Sequence, residues 1–163
     1  MFMKRGSTWF LRGVIVLMGL VALAVCIFAL PPIARGAAIE YPIIAPVWLY
    51  LFIGGLYLSV IPFFVALLQG MKLLHYIDTN TSFSPVSLKA LRIIKFSGIA
   101  ISICYAAGIP YLFYVADFDD APGLILLSVA FACVPLVVAT FATVLQKLFQ
   151  SALEIKSEND LTV

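Results

Sequence analysis

Charged residues are sparse along this chain, and they fence off four long uncharged runs. The first is Gly13 to Ala34, between Arg12 and Arg35; the second is Tyr41 to Met71, between Glu40 and Lys72. The third is Phe96 to Ala116, between Lys95 and Asp117, and the fourth is Ala121 to Gln146, between Asp120 and Lys147. Each exceeds the roughly 18 to 20 apolar residues that a helix needs to cross the hydrocarbon core. The pattern predicts an all-α, polytopic membrane protein with four transmembrane helices in an antiparallel up-down bundle. It forms a single domain, residues 1–163, with spans over about 10–32, about 46–78, about 85–115 and about 121–157.

Local chemistry supplies the breaks. Pro31-Pro32 is expected to end the first helix, since proline lacks the amide donor and its ring clashes with the preceding turn. Pro42 and Pro46 punctuate the entry to the second span. Ser84-Pro85 is a helix start signal, which sets the beginning of the third span well before Phe96. Asp119 or Asp120 is expected to cap the fourth helix, with Pro122 in its first turn. Beyond the apolar run, Leu145, Leu148, Phe149, Ala152 and Leu153 recur at helical steps, with polar residues between them. The second, third and fourth helices are therefore expected to extend past the membrane as a small helical knob.

Basic residues set the orientation. Lys4, Arg5 and Arg12 precede the first span; Lys72, Lys89, Arg92 and Lys95 lie between the second and third; Lys147 and Lys156 follow the fourth. Only Arg35 of the ten Lys and Arg residues falls on the other side. The positive-inside rule then makes both termini and the knob cytoplasmic. Trp48, Tyr50, Tyr111 and Tyr114 suit an outer aromatic belt, and Trp9 and Phe10 an inner one. Lys4 and Arg5 ahead of an apolar stretch also raise the question of a signal peptide. The stretch is too long for one and meets Pro31-Pro32 without a good cleavage site. Leu23-Ala24-Val25-Cys26 is a poor lipoprotein signal because valine precedes the cysteine.

Composition agrees: 64% of the residues are hydrophobic and 11% charged, and mean hydropathy is +1.13. A soluble domain of this length could not hide that much apolar surface. The net charge of +2 gives no ground for direct nucleic-acid binding.

Little of the sequence suggests chemistry. None of the four runs contains Lys, Arg, Asp, Glu or His, whereas ion-coupled carriers place ionisable groups at membrane depth. Backbone opened by Pro62, Pro110 or Pro135 could line a path, although a packed kink is the simpler reading. Cys26, Cys104 and Cys133 match no metal spacing and read as apolar packers. His75, the one histidine, has no second ligand near it in sequence. Asp117, Asp119 and Asp120 lack the glycine and terminal glutamate of a calcium loop. No phosphate-binding loop, zinc signature or nucleophile elbow is present, so no catalytic residue, cofactor or metal ligand is assigned. Gly98, Ser102 and Ala106 fall at four-residue steps and would let helix backbones approach closely, as Gly54-Gly55 would. This suits packing within the chain more than dimerisation, and a homo-oligomer stays open. Lys89, Arg92 and Lys95 form a basic stripe suited to anionic lipid or to an acidic cytoplasmic partner. His75, Asp78, Glu154 and Glu158 are further docking candidates.

The stretch Leu74-His75-Tyr76-Ile77-Asp78 through Ser82-Phe83-Ser84, with Leu88-Lys89-Ala90-Leu91-Arg92 after it, resembles the bacterial domain of unknown function 2975 (DUF2975). The tail from Glu154 to Val163 also resembles that family's ending. The resemblance implies a bacterial inner-membrane protein without an established activity. It also suggests a small helix-turn-helix regulator as partner, since such genes often lie beside those of the family. The segment between the first two spans is short, so any outer domain of longer relatives would be missing. Together these observations predict a non-enzymatic membrane protein that tethers a cytoplasmic partner or senses membrane state. The alternative is a small oligomeric channel or transporter, with Ser59, Gln69, Ser102, Thr140 and Thr143 as polar lining.

Overall fold

The computed structural model describes residues 5–41 and 46–162. Lys4, Pro42 and Val163, as well as the side chain of Arg5, lie outside the described part. The chain is helical almost throughout: α1 (Arg5–Ala24), a π-helical turn (Val25–Ala29), α2 (Leu30–Glu40), α3 (Pro46–Asp78), α4 (Pro85–Phe118) and α5 (Gly123–Leu161). Together α1, the π turn and α2 make one uninterrupted rod. Four helical segments are long and apolar enough to span a membrane: Gly6–Glu40, Pro46–Asp78, Pro85–Phe118 and Gly123–Leu161.

The first helix therefore does not stop at Pro31-Pro32, contrary to the expectation from sequence. At the π turn the Leu30 amide donates to the Val25 carbonyl, five residues back. The hydrogen-bond ladder slips by one position there, which places the prolines in the opening turn of α2. An amide donor is dispensable at that place. The Tyr57 hydroxyl of α3 donates to the Cys26 carbonyl inside this turn, at 3.3 Å.

At the start of α4, Ser84 is extended and its hydroxyl accepts from the Ser87 amide, with Pro85 directly after it. The loop before it turns through Asn80 in a left-handed conformation (φ 56°). The Thr79 hydroxyl donates to the His75 carbonyl, which closes the end of α3. The expected acidic cap on the fourth span is absent: the N-cap of α5 is Pro122, with no side-chain hydrogen bond. Asp119 instead ends α4.

Packing follows chain order. Helix α4 lies between α3 and α5 along long seams, and the first rod rests more lightly on α3. Among the described residues no comparable seam joins the first rod to α5. The four spans thus pack as an open row in chain order.

Most of what is buried in that row is small. Ser97, Ser102, Ala132, Ala139 and Ala142 are covered, while Phe28, Leu126, Phe131 and Phe141 are exposed. This inverts the soluble-protein pattern and is the arrangement expected where lipid surrounds the helices. A Cβ on Gly98 would stand 2.7 Å from the Pro135 carbonyl oxygen, so only glycine lets α4 and α5 approach this closely. Ser102 tightens the same seam by donating its hydroxyl to the Ala132 carbonyl. Ala106, the third member of the expected small-residue stripe, is exposed.

Candidate functional site

The helix ends sort into two groups. At one end the start of α1 meets the end of α3, where Arg12 Nη2 lies 2.8 Å from Asp78 Oδ2. The α3–α4 loop also meets α5 there, through Phe83 and Phe149, whose ring centroids are 5.1 Å apart. Arg12, Lys72, Lys89, Arg92, Lys95, Lys147 and Lys156 all belong to this basic end. At the opposite end Tyr41 donates its hydroxyl to Asp119 Oδ2 and packs edge-on against Phe118 at 5.4 Å.

The Tyr41–Asp119 contact joins the first rod to the end of α4, and neither residue was singled out as a pair from sequence. The hydrogen bond to Asp119 pushes the Tyr41 phenol up from its ordinary 10 to about 12, with the charges of Asp119 and Glu40 adding to the effect. The folded state thus favours the neutral phenol. Its contribution is fully present below about pH 10 and is lost as pH rises through about 12. Ultraviolet titration of the wild type against Tyr41→Phe should show one tyrosine ionising near pH 12. In Asp119→Asn that tyrosine should return to its ordinary range; an unchanged titration would show that Asp119 is not the cause.

Among the described residues Arg12–Asp78 is the one ion pair. It engages Asp78, one of the docking candidates, and pins the lightly packed first rod to α3. Lys89 and Arg92 are exposed and without a carboxylate partner among the described residues. Lys95 is half-buried, with its ammonium 5.7 Å from the centroid of the Phe96 ring. His75 is exposed, with its ring centroid 6.3 Å from that of Tyr76.

Glu154 and Glu158 lie on the far end of α5, which is unlike the rest of the molecule. From Glu154 to Thr162 every residue is exposed. Helix α5 has 39 residues, about 58 Å at 1.5 Å per residue, against a hydrocarbon core of about 30 Å. Phe149 is its last aromatic anchor. Beyond it stand Glu154, Glu158 and Asp160 with a single cation, Lys156. Ile155 (67% exposed) and Leu161 (84% exposed) are uncovered apolar residues on this segment. The helix continues there without tertiary support among the described residues.

Two further features lie within the spans. A cleft among α3, α4 and α5 is bounded by Phe52, Leu56, Tyr105, Gly108 and Phe131. A groove between α3 and α4 runs past Ile61, Pro62 and Val65 on one side and Ile93, Phe96 and Ala100 on the other. Neither is lined by Lys, Arg, Asp, Glu or His. The hydroxyls considered for a polar path are occupied: Ser59 donates to Leu56 O, Thr140 to Leu136 O and Thr143 to Ala139 O. Ser102 is committed to the α4–α5 seam, and Gln69 is half-buried. Among the described residues no three His, Cys, Asp or Glu side chains come together as a metal site. Cys26, Cys104 and Cys133 are free thiols.

Comparison with known proteins identifies a family and a membrane-protein relative. Residues 32–163 match the family described as "Protein of unknown function (DUF2975)". Over 161 residues the chain is 48% identical to the "Uncharacterized membrane protein YoaS" of Bacillus subtilis (strain 168), covering 99% of this chain and 100% of that protein. No solved structure matches.

Proposed function

The chain belongs to the DUF2975 family, and from that premise we propose that it is a non-enzymatic, multi-pass protein of the bacterial cytoplasmic membrane that holds a soluble partner at its basic end. The basic end faces the cytoplasm by the positive-inside rule. The observation that carries the partner is the projecting end of α5, exposed on every side and rich in carboxylates. Such a segment complements a basic surface, and DNA-binding proteins carry one. A small helix-turn-helix regulator fits that description, in keeping with the family resemblance. Holding it at the membrane would keep it from DNA, or release it when the membrane changes. The α3–α4 loop, braced on Phe149, supports the base of the projection.

The test is affinity purification of the tagged full chain from native membranes in mild detergent, read by mass spectrometry. The comparison is a variant with Glu154→Lys, Glu158→Lys and Asp160→Lys at matched expression. We expect a basic DNA-binding protein with the wild type and at least about tenfold less with the variant. Equal recovery from both, or no such protein from the wild type, overturns the proposal.

A further inference from the structure

The α3–α4 groove ends where the basic end begins. Its lining is wholly apolar at the surface, and Pro62 interrupts the ridge of α3 at its middle. At its inner end it is lined by Val65 of α3 and by Ile93 and Phe96 of the antiparallel α4. Helical steps extend both walls beyond that point. Lys72 lies seven residues after Val65, two turns on along the same face of α3. Lys89 lies four residues before Ile93 and seven before Phe96, on the corresponding face of α4; Arg92 flanks it, four residues before Phe96. All three cations are exposed, and none has a carboxylate partner among the described residues. By helical rise Lys72 and Lys89 lie about 10 Å and about 6 Å past the groove's end, and Arg92 stands at its rim, about 1.5 Å past Ile93. Lys95 leans on Phe96, one of the groove's own residues, which adds positive potential there.

A dry apolar trough that opens sideways to lipid, with three unpaired cations at its mouth, has the chemistry of an anionic phospholipid: an acyl chain in the groove and a phosphate-bearing headgroup over the cations. We propose that Lys72, Lys89 and Arg92, with the groove between α3 and α4, form a binding site for one anionic phospholipid drawn from the surrounding bilayer. An acidic protein would use the cations but not the trough, and a zwitterionic lipid would use the trough without needing the cations. The combination selects the anionic lipid. Each juxtamembrane cation adds about fivefold to such an affinity. The site is separate from the acidic end of α5, so the proposal stands independently of the partner reading.

The full chain, purified in mild detergent, is exchanged into mixed micelles of phosphatidylglycerol and phosphatidylcholine, and the retained lipid is counted by native mass spectrometry. The wild type should keep one phosphatidylglycerol, preferred over phosphatidylcholine by at least about tenfold. That preference should fall as salt is raised, because exposed charges are screened. The triple variant Lys72→Gln, Lys89→Gln, Arg92→Gln should lose the preference with its helicity intact. Ala100→Phe, which fills the trough and leaves the cations in place, should lose the retained lipid. Lys147→Gln with Lys156→Gln should change neither readout. A wild type without preference, a preference indifferent to salt, or a triple variant that still selects phosphatidylglycerol overturns the site. The salt series needs only the wild type, so a misfolded variant does not protect the proposal.

Discussion

Gly98→Ala should weaken the α4–α5 seam, and Gly98→Leu should break it. The added Cβ would lie 2.7 Å from the Pro135 carbonyl oxygen and 3.2 Å from the Ala139 Cβ. The nearest atom is backbone, so no side-chain rotation relieves the clash and α5 has to move. Such overpacking costs about 1 to 3 kcal/mol. Alanine offsets part of this through its better helix propensity, about 1 kcal/mol over glycine. Gly98→Ala should therefore lose up to about 2 kcal/mol in denaturant unfolding from detergent, and Gly98→Leu should not accumulate folded. Gly54 supplies the internal control, since nothing lies within 4 Å of a Cβ built there. Gly54→Ala should be neutral or stabilising by up to about 1 kcal/mol. If Gly98→Ala behaves like Gly54→Ala, the two helices do not approach as closely as described.

Leu91→Ala is the second large effect. Leu91 and Ala90 are each 2% exposed and Ser87 is 0% exposed, so α4 is packed most tightly just after its capped start. Removing a buried leucine side chain costs about 2 to 5 kcal/mol, part of it transfer and part the cavity left behind. At the basic end the unfolded residue meets water or headgroups, so the transfer part applies here more fully than at membrane depth. Leu91→Met, which conserves volume, should cost less than about 1.5 kcal/mol. Thermal unfolding of the two variants side by side measures the difference. A loss below about 1 kcal/mol for Leu91→Ala would show that the neighbouring helices close over the gap.

The spans were readable in the sequence because ionisable groups are costly in hydrocarbon, and the fencing charges therefore mark the run ends directly. Ser84 was readable because capping is local chemistry. The course of the first rod was not: the proline rule counts four residues back, and the π turn at Val25–Ala29 shifts that count by one. Asp119 was assigned to the start of a helix when it serves Tyr41, a residue 78 positions away. The open row left no trace in periodicity, since a side chain facing lipid and one facing another span are equally apolar. Ala106 shows the same difficulty, because four-residue spacing is common to a stripe that packs and one that faces lipid. Lys72 was read for orientation alone. Its place on the same helix face as Ile61 and Val65 matters only once the groove beside them is known.

The row also bears on how the protein is made. Each long seam joins consecutive spans, and the α3–α4 and α4–α5 turns occupy only residues 79–84 and 119–122. Closing such short loops is entropically cheap. A span leaving the translocation machinery finds its docking face on the span released just before it. Assembly can keep pace with synthesis one hairpin at a time, with no step in which the last helix has to find the first.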